Sequence, residues 1–167
     1  MIELKKWEEK YFESLILNAN NKKIADNLRN IFPYPYTYED GKNYINYWQK
    51  NNDDGGQICR AIMIDGKAVG SIGAFQKEDV YCKSAEIGYW LAEAYWGQGI
   101  MSDVVKEFSN QVFLQLEIAR LYAEVYEENI ASRKVLEKAN FILEGVLRKS
   151  IYKNGQYKNS CIYGKII

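Results

Sequence analysis

Two glycines one residue apart, in the segment Tyr95-Trp-Gly-Gln-Gly-Ile-Met-Ser102, constrain the fold of this chain more than any other feature. They follow an apolar strand pattern at residues 85–91 and precede an amphipathic helix pattern at residues 102–117. Glycine lets the backbone turn sharply and approach a ligand, because it has no Cβ. The first amides of a helix lack intrahelical partners and lie at its positive end. The segment therefore predicts a cradle for a phosphate or pyrophosphate.

The spacing of these glycines excludes two better-known phosphate-binding motifs. A P-loop needs a lysine directly after its second glycine, but the first lysine after Gly99 is Lys106. A dinucleotide-binding fingerprint needs a third glycine three residues after the second, where this chain has Ser102. Taken alone, the glycine pair is equally explained by a tight strand-to-helix turn that binds no ligand.

Length and charge set the broad class of protein. A chain of 167 residues with 47% apolar content predicts a single domain, residues 1–167, that buries its own core. Lys plus Arg equals Asp plus Glu, 22 each, so no net field attracts nucleic acid or an anionic membrane. The start of the chain is charged and no long apolar stretch follows, which predicts a cytoplasmic protein without a membrane span.

The chain contains no histidine, which restricts its chemistry. This absence excludes the usual proton carrier at neutral pH and every nucleophile activated by histidine. The three cysteines, Cys59, Cys82 and Cys161, are widely spaced and predict neither a disulfide framework nor a zinc site. Catalysis must therefore use carboxylates, tyrosines, backbone amides or a bound cofactor.

Hydrophobic periodicity predicts a mixed α/β (α+β) architecture. Strand patterns occur at residues 2–6, 57–64, 67–76, 83–91, 120–126, 141–149 and 156–166. Helix patterns occur at residues 8–17, 22–31, from 37 onward, 102–117 and 130–139, the last with Ala131, Val135 and Ala139 on its apolar stripe. Asp65-Gly66 predicts a tight hairpin, and Thr37 with Asp40 predicts a capping box. Two strand-helix-strand passages suit right-handed crossovers, whereas the hairpins argue against a fully parallel sheet.

Three segments in this order resemble the GNAT superfamily of acetyl-CoA-dependent N-acetyltransferases. They are Glu86-Ile-Gly-Tyr-Trp-Leu91, Tyr95-Trp-Gly-Gln-Gly-Ile-Met101 and Glu128-Asn-Ile-Ala-Ser-Arg-Lys-Val-Leu-Glu-Lys-Ala-Asn-Phe141. The tract Pro33-Tyr-Pro-Tyr-Thr37, followed by Glu39-Asp40, is typical of the branch that acetylates ribosomal-protein N-termini at alanine or serine. The resemblance implies a GNAT fold with a mixed sheet of six to seven strands, about four helices and splayed fourth and fifth strands. It also implies acetyl-CoA as the donor, coenzyme A as a product and no metal.

In this superfamily the glycine turn holds the pyrophosphate of coenzyme A on its backbone amides. The positions that correspond here are Gly97, Gln98, Gly99, Ile100, Met101 and Ser102, with side-chain donors at Gln98 and Ser102. Two departures stand out. Trp96 replaces the usual Gln or Arg and should be tolerated, because the contacts are mostly main-chain. Met101 replaces the usual Gly or Ala and must point away from the phosphates.

The resemblance also implies a site for the pantetheine arm. Trp90, Leu91 and Ala92 match the strand edge that pairs with pantetheine, whose two amides can bond to free backbone groups like an added strand. Asn129 matches an asparagine that reaches the arm, and Ser132 lies one turn further along the same helix. A plain helix cap is the alternative role for Asn129.

Glu86 is the candidate general base, because many relatives have a glutamate at this place that deprotonates the amine directly or through water. A purely structural role, anchoring a loop or pairing with a cation, is the alternative. The tyrosine that serves as general acid in many relatives has no counterpart, since Leu136 stands at its position and Asn140 at that of the following glycine. The thiolate then leaves unassisted, or Ser132 helps through water, or Tyr126 donates the proton.

The sequence leaves the acceptor open. The hypotheses are a protein N-terminal amine, a small amine such as a polyamine, amino sugar or antibiotic, and a non-catalytic acetyl-CoA-binding module. An α-amino group requires less deprotonation than a lysine at pH 7, which favours a protein N-terminus for a chain without histidine. The expected assembly is a monomer or a homodimer.

Overall fold

A seven-stranded mixed sheet with five α-helices forms the fold in the computed structural model, which describes residues 1–167. The strands are β1 (Ile2–Lys5), β2 (Gln57–Ile64), β3 (Lys67–Gln76), β4 (Ser84–Leu91), β5 (Arg120–Tyr126), β6 (Ile142–Lys153) and β7 (Gln156–Ile166). The helices are α1 (Phe12–Ala19), α2 (Lys22–Ala25), α3 (Tyr38–Asn51), α4 (Ile100–Leu116) and α5 (Ile130–Lys138). All seven predicted strands are present, and the helices number five rather than about four. None of the helices has the length and apolar character needed to cross a membrane.

The strand order is β1-β2-β3-β4-β5-β7-β6. β1 pairs antiparallel with β2, β5 with β7 and β6 with β7, whereas β4 pairs parallel with β5. The turn between β2 and β3 has positive φ at both Asp65 (47°) and Gly66 (79°), which is the requirement of a type I′ hairpin. The predicted mixed sheet and its first hairpin are therefore confirmed.

The chain forms two compact units. The first contains residues Met1–Ala74 and Gly88–Ile100, and the second contains Phe75–Ile87 and Met101–Ile167. An aromatic core fills the first unit, where the ring of Trp7 meets Tyr44 edge-on at 5.3 Å and Phe32 meets Trp90 at 5.7 Å. Such edge-to-face pairs stabilise a core beyond the effect of buried area alone.

The start of α3 has the predicted capping box. The Thr37 hydroxyl oxygen accepts from the Asp40 amide at 3.2 Å, and the Asp40 carboxylate accepts from the Thr37 amide at 2.7 Å. Two amides that a helix start leaves unpaired are satisfied in this way. The Pro33–Pro35 tract before it is non-helical, as the two prolines require.

The prediction of a helix over residues 22–31 was wrong beyond Ala25. Asn21 caps α2 by accepting from the Lys23 amide at 2.9 Å, but the amides of Asn27 and Leu28 bond three residues back, to Ile24 and Ala25. These tighter bonds end the α-helix after a single turn. Ile31, at the end of the predicted helix, is exposed.

The helices of the second unit differ from the predictions in two details. α4 begins at Ile100, two residues before the expected start, and buries an apolar stripe that includes Val104, Phe108 and Val112. On α5 the predicted stripe was wrong at Ala131, which is exposed, whereas Leu136 is fully buried. The residues turned inward are those at 132, 135, 136 and 139, so Val135 and Ala139 lie on the stripe as expected, and Ser132 and Leu136 stand in place of Ala131.

β6 continues to Lys153, beyond its predicted end at residue 149. A register shift lies between Leu147 and Ile151, and Lys149 has a positive φ of 53°. The Lys149 amide donates to Asn159 Oδ1 of β7 at 2.9 Å. The irregularity is therefore a β-bulge within a continuous strand. Because a bulge interrupts the alternation of side chains, the sequence pattern did not indicate that the strand continues.

Gly70 of β3 lies against the backbone of β4, and its replacement tests this packing. A Cβ on Gly70 would lie 2.5 Å from the Trp90 carbonyl oxygen and 3.2 Å from Leu91 Cα, and neither backbone atom can rotate away. We expect Gly70→Ala to lower stability by about 1–3 kcal/mol and to reduce Tm by several degrees in thermal denaturation. Gly88→Ala is the matched control, because a Cβ at Gly88 meets nothing within 4 Å. Equal Tm values for the two variants would contradict this packing.

Candidate active site

The carboxyl-terminal end of β4 presents backbone groups on the edge opposite β3. The Ala92 amide donates to the Val69 carbonyl of β3 at 2.7 Å. Successive residues of a strand direct their N–H and C=O groups to opposite edges, so those of Leu91 point away from β3. The parallel register of β4 with β5 covers only Ser84 to Glu86, and the splayed fourth and fifth strands expected from the resemblance are therefore present. Trp90, Leu91 and Ala92 have buried side chains, and they differ in the direction of their backbone groups.

The glycine turn follows β4 after one short 3₁₀ turn. Gly97 and Gly99 have φ values of 73° and 79°, a region that residues with a Cβ rarely adopt. A Cβ at either glycine would meet no atom within 4 Å, so the turn needs these glycines for its conformation and its outer side is open. α4 begins directly afterwards at Ile100, and its first amides have no intrahelical partners.

Met101 and Ser102 occupy the first turn of α4. The Met101 side chain is buried and so points away from the open side of the turn, as its size required. Ser102 is partly exposed. The residues present thus fit an anionic group that is bound through main-chain amides.

Two side chains of the turn donate back to the preceding main chain. Trp96 Nε1 donates to the Leu91 carbonyl oxygen at 2.7 Å, and Gln98 Nε2 donates to the Ala94 carbonyl oxygen at 3.0 Å. The Gln98 side chain, expected as a donor to a phosphate, is therefore turned back toward the preceding main chain.

In the second unit, Asn129 caps α5. Its Oδ1 accepts from the Ser132 amide at 3.2 Å, which satisfies one amide of the helix start. This bond uses only the carbonyl half of the side chain, so the Nδ2 amide group can still donate to a ligand. The turn before the helix is fixed by Asn159 of β7, whose Nδ2 donates to Glu127 Oε2 at 2.7 Å and whose carbonyl oxygen accepts from the Glu127 amide at 3.0 Å. Asn129 is thus held by a rigid support.

Glu86 is partly buried on β4, opposite Tyr122 in the register with β5. The Tyr122 hydroxyl donates to Glu86 Oε2 over 3.5 Å, a long hydrogen bond that orients the carboxylate weakly. A carboxylate held in this way on a rigid strand can accept a proton from an amine or from a bridging water.

Leu136 and Asn140, which stand at the positions of the family's tyrosine and the following glycine, have structural roles. Leu136 is fully buried, and Asn140 adopts a positive φ of 67° just after α5. The Asn140 amide bonds to the Glu137 carbonyl at 3.1 Å and the Phe141 amide bonds to the Leu136 carbonyl at 2.9 Å, which together form a Schellman motif. Asparagine therefore replaces the usual glycine as a helix terminator, and no hydroxyl is available at position 136.

Two of the three cysteines, Cys59 and Cys161, are buried. Burial raises the pKa of the Cys59 thiol and that of the Cys161 thiol, which disfavours the reactive thiolate. Burial likewise raises the pKa of Tyr44, whose hydroxyl lies 2.8 Å from Ser71 Oγ. Cys82 is exposed.

Sequence reasoning missed two residues of this region. Trp96 is expected only as a tolerated departure, and Tyr122 is not among the predicted site residues. The signal for Tyr122 lay in the alternation of β5, where Leu121 and Ala123 are buried on one face and Tyr122 lies on the other with the partly buried Glu86. No sequence signal indicated which acceptor the Trp96 indole would find.

Comparison with known proteins identifies the family. Residues 2–142 match the model of the acetyltransferase (GNAT) domain. A probable N-acetyltransferase, YjcK, from Bacillus subtilis (strain 168) is 32% identical over 126 residues, which span 74% of this chain and 70% of the relative. A ribosomal-protein-serine acetyltransferase from Escherichia coli (strain K12) is 32% identical over 106 residues, which span 64% of this chain and 59% of that enzyme.

A solved structure extends the likeness to nearly the whole fold. The ribosomal L7/L12 alpha-N-protein acetyltransferase RimL in complex with coenzyme A superposes with a TM-score of 0.88 at 26% identity. The superposition covers 99% of this chain and 94% of that one. The chain therefore belongs to the GNAT family of acetyltransferases, as an N-acetyltransferase that takes its acetyl group from acetyl-CoA.

Proposed function

We propose that this chain acetylates the N-terminal α-amine of a protein, of the ribosomal-protein type. The observation that carries the proposal is the similarity to the ribosomal L7/L12 alpha-N-protein acetyltransferase over 99% of the chain. Physical chemistry supports the same acceptor. Deprotonating an α-amine at pH 7 costs about 1 kcal/mol, whereas deprotonating a lysine costs about 5 kcal/mol. A chain without histidine has few means to supply the larger amount.

The proposed donor site combines the elements described above. The residues that we assign to acetyl-CoA are Trp90, Leu91, Ala92, Gly97, Gln98, Gly99, Ile100, Met101, Ser102, Asn129 and Ser132. Support comes from the open, positive-φ glycines and from the buried Met101 side chain, which leave the amides of the turn to the diphosphate. We assign Gln98 a main-chain contact, because its side chain donates to Ala94. The Nδ2 group of Asn129 is the proposed donor to the pantetheine arm.

In the proposed reaction, Glu86 takes the proton that the amine loses. The acceptor nitrogen forms a bond to the thioester carbonyl carbon, the bond from that carbon to sulfur breaks, and the electron pair leaves on sulfur. The proton moves from nitrogen to Glu86, directly or through one water. A thiolate with the ordinary pKa of a thiol, about 8.5, can leave without an acid, which suits a chain with Leu136 at the position of the family's tyrosine.

We further propose that residues 1–167 act as one domain in the cytoplasm, where ribosomal proteins are made. The single family match over residues 2–142 includes parts of both compact units, which supports a single domain.

Peptide acetylation tests the acceptor. The purified protein is incubated with acetyl-CoA and peptides that begin with Ser or Ala, and acetylation is located by mass spectrometry. We expect an acetyl group on the α-amine and none on an internal lysine of the same peptide. The control peptide carries an already acetylated N-terminus and should release no coenzyme A. Turnover of spermidine or an aminoglycoside with inert peptides would instead establish a small-amine acetyltransferase, and binding without any turnover would establish a sensor.

A further inference from the structure

The glycine turn is tethered from within by two side chains. Trp96 Nε1 and Gln98 Nε2 donate to carbonyl oxygens of residues that precede the turn, at 2.7 and 3.0 Å. The Trp96 side chain is only partly buried, since the residue is 43% exposed. Its hydrogen bond to the Leu91 carbonyl oxygen gives the indole a defined direction and links the turn to the end of β4.

A turn with two glycines needs such tethers. Gly97 and Gly99 each have access to many backbone conformations, and only some of these direct consecutive amides toward one anion. A ligand that binds only one conformation has its affinity reduced by the fraction of molecules that occupy it. Any bond that holds the turn in that conformation before the ligand arrives therefore raises the affinity.

We propose that Trp96 is a positioning residue that holds the glycine turn in its anion-binding conformation through the Leu91 carbonyl, with Gln98 as a second tether. The proposal rests on the proposed acetyl-CoA site. It gives a function to Trp96, which stands where the family usually has Gln or Arg. An indole has only one N–H group, so a single acceptor determines its orientation.

The variant Trp96→Phe removes the N–H group and keeps an aromatic ring. Isothermal calorimetry should show a Kd for acetyl-CoA about three- to tenfold higher, the equivalent of one neutral hydrogen bond. In steady-state kinetics KM should rise with kcat unchanged, because the turn acts on binding alone. The matched control is Tyr47→Phe, which removes another exposed aromatic hydrogen bond, from Tyr47 to Gln57 at 2.8 Å, in the same unit. Its Kd should equal that of the unchanged protein.

S-acetylpantetheine lacks the diphosphate that the glycine turn is proposed to bind. Comparing it with acetyl-CoA therefore separates ordering of the turn from contact with the pantetheine arm. Under the proposal, Trp96→Phe leaves kcat/KM for S-acetylpantetheine unchanged while lowering it for acetyl-CoA. Equal losses of kcat/KM for both donors would overturn the proposal. A higher kcat/KM for S-acetylpantetheine would also overturn it, because it would show that the indole competes with the pantetheine arm for the Leu91 carbonyl.

The variant Gln98→Met removes the second tether at similar length and tests the same idea if Trp96→Phe does not fold. It should raise the Kd for acetyl-CoA, and an unaltered Kd overturns the tether. Failure of the unchanged, folded protein to bind acetyl-CoA would instead refute the proposed donor site itself.

Discussion

Replacement of Glu86 by glutamine is expected to lower kcat for acetylation of an N-terminal peptide at least about tenfold at pH 7, with the Kd for acetyl-CoA nearly unchanged. The amide has the shape of the carboxylate, and its oxygen can still accept from Tyr122, so the local structure is retained. It cannot take a proton from the amine. The expected loss is at the low end for a general base, because about 14% of an α-amine with a pKa near 7.8 is already neutral at pH 7.

The pH dependence separates a chemical role of Glu86 from a structural one. As the pH rises through the pKa of the α-amine, about 7.8, more acceptor is already deprotonated and the variant should regain part of its rate. The control is Tyr122→Phe, which removes the 3.5 Å hydrogen bond but leaves the carboxylate, and its kcat should fall less than that of Glu86→Gln. Stopped-flow or steady-state release of coenzyme A gives both values. A kcat of Glu86→Gln equal to that of the unchanged protein at every pH would remove Glu86 from the mechanism.

The elements that the sequence predicted well are those whose pattern is local. Asp65-Gly66 specifies a hairpin through its own backbone preferences, and Thr37 with Asp40 specifies a helix start through their own hydrogen bonds. The failures depend on tertiary context. Nothing within residues 22–31 indicates that the helix ends at Ala25, and the spacing on α5 fits two neighbouring stripes until the packing buries Leu136.

The residues of the candidate site show the same difference between local patterns and tertiary context. The positions of Gly97 and Gly99 follow from the backbone geometry that a strand-to-helix turn requires, so the sequence was sufficient to find them. The directions of the Trp96 and Gln98 side chains follow from that geometry only after it has formed, since their acceptors at Leu91 and Ala94 come within reach when the turn folds back. The proximity of Tyr122 to Glu86 likewise depends on strand register, which the alternation alone leaves open.

A single methyl group on Gly99 should raise the Kd for acetyl-CoA at least about tenfold. Gly99 has a φ of 79°, and an alanine there either remains strained or relaxes to a negative φ. Relaxation redirects the neighbouring amides away from the anion, and a retained conformation places a Cβ on the open side where the ligand approaches. Each hydrogen bond lost to a charged group is equivalent to about 1.5–3 kcal/mol, and 1.4 kcal/mol is a tenfold change in affinity.

Gly66→Ala is a close control for Gly99→Ala, because Gly66 has the same φ of 79° and a Cβ there also meets nothing within 4 Å. Both variants should lose about 1–2 kcal/mol of stability from the left-handed backbone, which chemical denaturation measures. Only Gly99→Ala should lose affinity in calorimetry, since the hairpin turn at Gly66 has no part in the proposed donor site. Equal affinities for the two variants would mean that the strain at Gly99 serves the turn alone, and the diphosphate would have to be bound elsewhere.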